Sequence, residues 1–136
     1  MCIRLNSIEE CPKVVESDMI TYKVLEVSVD GTTGKKSYYS PISSNRLQYN
    51  IGELYTELIG KVKVIGEPSA DTTTGLYSYK SERTALSILR LLSDVYNRDY
   101  ELFRCKVPKG SEYYDSDEDG DTEMVSDNLV ILNQVN

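Results

Sequence analysis

Histidine and tryptophan are absent from the 136 residues, and phenylalanine occurs once, at Phe103. Without an imidazole there is no Ser-His-Asp or Cys-His hydrolase, no HExxH metalloprotease and no nuclease that uses a histidine base or nucleophile. Transition-metal catalysis, which recruits imidazole, is weakened as well. Cysteine is scarce: Cys2, Cys11 and Cys105 form an odd total with no CxxC pair, which argues against a disulfide framework or a zinc knuckle. Reduced thiols in a cytosol fit best. No stretch approaches the roughly 18 consecutive apolar residues of a membrane span, and the opening MCIRLNSIEECPKVVESDMI has no apolar core of signal-peptide length. The expectation is a non-secreted protein of the cytoplasm that needs no membrane. No basic stripe is present, so direct binding of nucleic acid is not expected.

What is present begins with an ordinary globular composition, 40% hydrophobic and 27% charged. That length and balance suit one domain, 1–136, able to bury a core without disulfides or a structural metal. Eleven tyrosines carry the aromatic load, in keeping with sheet positions that have one wet edge. The 15 Lys plus Arg stand against 22 Asp plus Glu, a formal net charge of −7. Glu112, Asp115, Asp117, Glu118, Asp119, Asp121 and Glu123 fall within twelve residues that hold no base, and setting these seven aside leaves acids and bases equal. The whole net charge therefore sits in one segment of a neutral body.

Along the chain, residues 1–19 read as an irregular lead-in. Ile20 to Val29 alternates as a strand, with Lys23, Leu25, Val27 and Val29 on one side and Tyr22 and Val24 on the other. Asp30-Gly31-Thr32-Thr33-Gly34 reads as the turn of a hairpin returning through Lys35 to Ser40. Ile51 to Gly60 is open between a short helix and an extended segment, Lys61 to Ile65 alternates as a strand, and Gly66 to Thr74 reads as loop. After a short strand at 75–79, Ser81 is placed to cap a helix over 81–96 with an apolar stripe of Ala85, Ile88, Leu89, Leu92 and Tyr96. Tyr100 to Val107 is a strand with Phe103, Cys105 and Val107 on one face. The acidic segment 111–125 follows, and Leu129 to Leu132 closes the pattern. This order predicts an α+β domain: a mixed, mostly antiparallel sheet or partial barrel with one principal helix.

The acidic segment supports three readings. Asp115-Ser-Asp117-Glu-Asp119-Gly120-Asp121 matches the D-x-D-x-D-G opening of a calcium loop, with Asp115, Asp117, Asp119 and Asp121 as ligands. Its twelfth position is Ser126 where a bidentate glutamate belongs, and its flanks read as strands. The bland alternative is a solvated hairpin tip. The third is an anionic knob that docks on a basic protein surface, through Glu112, Asp115, Asp117, Glu118, Asp119, Asp121 and Glu123. Cys105 reads as a small core residue, and Glu101 and Glu112 are candidates for acid–base work only where burial shifts them.

The runs GLYSYKSERTALSILRLL, YELFRCKVPKGSEYY and SDNLVIL resemble a group of small uncharacterised proteins of tailed phages and bacterial mobile elements. The shared residues are Met1, Cys2, Tyr22 to Val24, Gly75 to Tyr79, Pro108 to Tyr114 and Ser126 to Ile131, nearly end to end. The resemblance brings no assigned chemistry. A small protein of that origin without catalytic residues is expected, from its localised charge, to be a non-catalytic protein-binding module, an antagonist of a host factor or defence docking through its acidic segment; a structural part of the virion is an alternative. Residues 75–107 are also similar to the middle of ADP-ribosyltransferase-like domains, which implies an alternative nucleotide-binding enzyme with Tyr77 at the dinucleotide; no catalytic glutamate aligns.

Overall fold

Strands dominate because β-branched and aromatic residues recur at alternate positions through most of the chain. The computed structural model describes residues 3–41, 47–116 and 123–135. Within these, thirteen strands and one helix follow in order. The first half holds β1 (Arg4–Leu5), β2 (Lys13–Val14), β3 (Met19–Val29), β4 (Lys36–Tyr39), β5 (Gln48–Tyr49), β6 (Leu54–Thr56) and β7 (Gly60–Lys63). Then come β8 (Ala70–Thr74), β9 (Leu76–Tyr79), α1 (Glu82–Tyr96), β10 (Tyr100–Val107), β11 (Glu112–Asp115), β12 (Glu123–Ser126) and β13 (Asn128–Gln134). The helix is too short and too polar to cross a membrane.

The α+β expectation holds, and every pairing among the described residues is antiparallel. A large sheet runs β2-β11-β12-β9-β3-β10-β13-β6, with β4 pairing β3 and then β5; a small one runs β1-β8-β7. Going from β5 through β4, β3, β10 and β13 to β6 crosses five strand spacings, roughly 24 Å in a flat sheet. Yet the rings of Tyr49 on β5 and Tyr55 on β6 lie 4.8 Å apart. The sheet is therefore rolled, although no ladder joins β5 to β6 and the barrel is not closed.

Alternation along the strands then sorts side chains to the two faces of the roll. Leu25, Tyr49, Leu76, Phe103, Cys105, Val107, Met124, Leu129 and Ile131 fill the inside. On the outside, Ala85 and Leu92 of α1 pack over Val24 and Leu102. The small sheet covers another outer patch with Ile3, Leu5 and Ala70 against Tyr114 and Val125. The helix starts where expected, with the Ser81 hydroxyl accepting from the Thr84 N–H, and ends at Asn97 in a left-handed conformation. Tyr96, placed on the apolar stripe by its spacing, is 47% exposed at the C-terminal end of the helix.

Several expectations are corrected. The lead-in carries two short strands, β1 and β2, each of which adds to a sheet edge. The ambiguous 51–60 segment is extended, through β6. The 66–74 loop contains β8, whose ADTTT has no apolar alternation; Thr72 is nonetheless fully buried, its hydroxyl accepting the Ile3 N–H at 2.9 Å. In the 30–34 turn the positive φ falls on Gly34, while Asp30 takes the Thr32 N–H on its carboxylate at 2.7 Å.

Candidate functional site

The acidic segment joins two paired strands. Tyr113 faces Ser126, Tyr114 faces Val125 and Asp115 faces Met124, so β11 and β12 form the stem of a hairpin. The stem is flanked by β2 on one side and β9 on the other. Beneath it Tyr114 is buried, donating its hydroxyl hydrogen to the Glu10 carbonyl at 2.7 Å, with the Lys61 ammonium 5.4 Å from its ring centre. At the foot, the Glu112 and Asp127 backbones bond each other and the Asp127 carboxylate accepts the Glu112 N–H.

The seven acids occupy different environments. Glu112 is exposed on β11. Asp115 has both oxygens engaged, Oδ1 by Lys13 at 2.7 Å and Oδ2 by Lys80 at 2.8 Å, and only 9% of its side chain is exposed. Burial pushes its carboxyl up, but the hydrogen bonds from Lys13 and Lys80 outweigh that and hold it below the ordinary value. The stability from this cluster is present above the unfolded carboxyl range and lost as pH falls through the lower folded value. Glu123 is buried opposite Tyr79. Asp117, Glu118, Asp119 and Asp121 lie outside the described residues. Three of the seven are thus placed, and only Glu112 among them presents its charge to solvent.

These environments bear on the calcium reading too. For Asp115 to ligate a cation it would have to exchange two ammonium partners, and no group of three or more potential ligands gathers among the described residues. Tyr77, the dinucleotide position in the alternative reading, packs with Ile3, Leu5 and Val125, and its hydroxyl shares a 2.9 Å hydrogen bond with Thr72. The described groove, about 310 Å³ between α1 and the ends of β10 and β13, is lined by Leu86, Leu89, Leu102 and Val135 and does not include Tyr77.

Reading by residue type missed Lys13 and Lys80, because nothing in sequence brings positions 13, 80 and 115 together. Lys23 was placed on the face of Leu25, and that face proves to be the inside of the roll. It is 8% exposed, donates to the Tyr77 carbonyl and lies 5.4 Å from the Tyr49 ring centre. β3 and β9 share a single bridge, Tyr22 to Tyr79, and the ammonium reaches the neighbouring carbonyl across that sparse junction.

The fold and the stem together define an α+β protein built on a rolled antiparallel sheet with an acidic hairpin. No family model, curated protein or solved structure matches the chain.

Proposed function

We propose that the chain is a non-catalytic protein-binding module of phage or mobile-element origin, an antagonist of a host factor or defence, and that the acidic hairpin docks on a basic partner. The observation that carries this reading is the division of labour within the hairpin. Asp115 fixes the stem through Lys13 and Lys80, and Tyr114 anchors it from below. Four of the seven acids, Asp117, Glu118, Asp119 and Asp121, fall by sequence in the connection between the two stem strands. A concentrated charge on a fixed mount raises encounter rates with an oppositely charged surface and makes them sensitive to salt.

Asp115 therefore belongs to the support and stays intact in the test. Changing Asp117, Glu118, Asp119 and Asp121 together to Ser or Asn is expected to leave the unfolding midpoint unchanged. Association with a basic partner cross-linked to the parent chain in cells should slow by about tenfold or more at low salt. Undiminished association, or association that ignores ionic strength, sinks the reading.

A further inference from the structure

Lys23 is buried inside the roll and makes no ion pair among the described residues. No carboxylate among them comes within ion-pair range, and Glu123 and Glu57 act on it from a distance. One of its three ammonium hydrogens goes to the Tyr77 carbonyl. On the same face, two residues earlier on β3, stands Thr21, fully buried, with no partner for its hydroxyl. Continuing the antiparallel register from the Tyr22–Tyr79 bridge sets Ser78 opposite Lys23, and Ser78 is 1% exposed with its hydroxyl also unpartnered. Two hydroxyls and an ammonium, all more than nine-tenths buried, thus share one inner patch of sheet with unused donors.

We propose that this patch is a binding site for a small monovalent anion of the size of chloride or bicarbonate, held by the Lys23 ammonium and the hydroxyls of Thr21 and Ser78. A buried ammonium is stabilised when a counter-charge lies against it and strongly destabilised when none does. A water molecule only completes hydrogen bonds, whereas an anion also sets a counter-charge in direct contact, which Glu123 and Glu57 do not provide. The anion is small because Leu25, Phe103 and Ile131 fill the same interior. It is monovalent because one cation faces it. Ser78 faces Met124 of the hairpin stem, but the site does not depend on the docking reading.

The test is urea unfolding of the whole chain in sodium chloride or sodium bromide against sodium gluconate at matched ionic strength, gluconate being too large to enter. The unfolding equilibrium constant is expected to fall about tenfold for each tenfold rise in chloride once binding saturates, and to show no such dependence in gluconate. Lys23→Met should abolish the chloride dependence, while Thr21→Val and Ser78→Ala, which keep the lysine, should each weaken it. Crystals grown in bromide should show an anomalous peak at hydrogen-bond distance from Lys23 Nζ. Equal stabilisation by gluconate, an unchanged chloride response in all three variants, or a bromide crystal with no peak at Lys23 overturns the proposal.

Discussion

Replacing Gly75 with alanine is expected to destabilise the protein by about 3–5 kcal/mol, the sum of a strained backbone and an overpacked core. Gly75 is the single residue between β8 of the small sheet and β9 of the rolled sheet. Its φ of +131° is one that residues with a side chain rarely adopt, and a Cβ there would lie 2.4 Å from Val125 Cγ2. Val125 is fully buried and pairs with Tyr77 and Tyr114. The added methyl cannot swing into solvent, and it pushes on the strand pair that carries the acidic stem. Adding Val125→Ala should restore only part of the loss, because it relieves the contact and leaves the backbone strain. Urea midpoints of the two single variants and the double separate these contributions. A loss below about 1 kcal/mol for Gly75→Ala would mean that the corner relaxes freely and that the link between the sheets is not rigid.

Lys23→Met carries the second large effect, in the opposite direction. In chloride-free buffer at pH 7 the variant is expected to be more stable than the parent by about 2 kcal/mol, since methionine fills similar volume without a charge to desolvate. The Tyr77 carbonyl loses its donor in exchange, a smaller cost for an acceptor than for a cation. The gain should depend on pH. Burial lowers the ammonium value below 10.5, against the opposing pull of Glu123 and Glu57. Below its folded value Lys23 is charged in both states and its burial cost is complete. As pH rises towards 10.5 the folded chain releases that proton before the unfolded chain does, so the cost fades and the advantage of the variant shrinks.

Two neighbours shape the same alkaline range from the other side. Burial pushes the Cys105 thiol from 9.0 up to about 12, and raises the Tyr49 phenol as well. The fold holds these protons after the unfolded chain has lost them, so their contribution falls as pH rises above 9.0. The variant shifts this limb slightly, since Lys23 lowers the Cys105 value and its loss lets that value rise, so the difference between parent and variant reports the lysine together with its effect on the thiol. Urea unfolding of both at pH 7, 8.5 and 10 reads it directly. A variant less stable than the parent at pH 7 would show that the carbonyl bond and the Tyr49 ring outweigh desolvation.

Elements with a strong period were legible in the sequence. The 3.6-residue stripe and Ser81 cap marked α1, and alternation marked β3 and β10, including the burial of Phe103, Cys105 and Val107 on one face. Elements held by long-range partners were not. In β8 Ala70 and Thr72 are buried, Thr72 meeting Ile3 across 69 positions, and β12 lies within the acidic segment although Glu123 to Ser126 are all buried. Strand alternation speaks of which side a residue faces, and it is silent on whether a sheet rolls. Lys23 shows the limit: its face was readable, but only the roll makes that face an interior. The same holds at the hairpin, where charge counting found the seven acids and could not assign Asp115 to Lys13 and Lys80.

The unjoined edge between β5 and β6 gives the molecule a way in. No ladder joins these strands; the Tyr49–Tyr55 ring contact, the bond from the Asn50 N–H to the Tyr55 hydroxyl and the bonds of Asn50 and Tyr55 to Glu53 close the seam, and the Gly52 N–H ties the connection to the Ile131 carbonyl. Parting two rings is a far smaller event than unzipping a ladder, and sub-global openings of that kind occur well below the free energy of global unfolding. Tyr49 is also the ring over which the Lys23 ammonium sits. Opening of this seam therefore uncovers the lysine first, while the remaining strands of the sheet can stay paired.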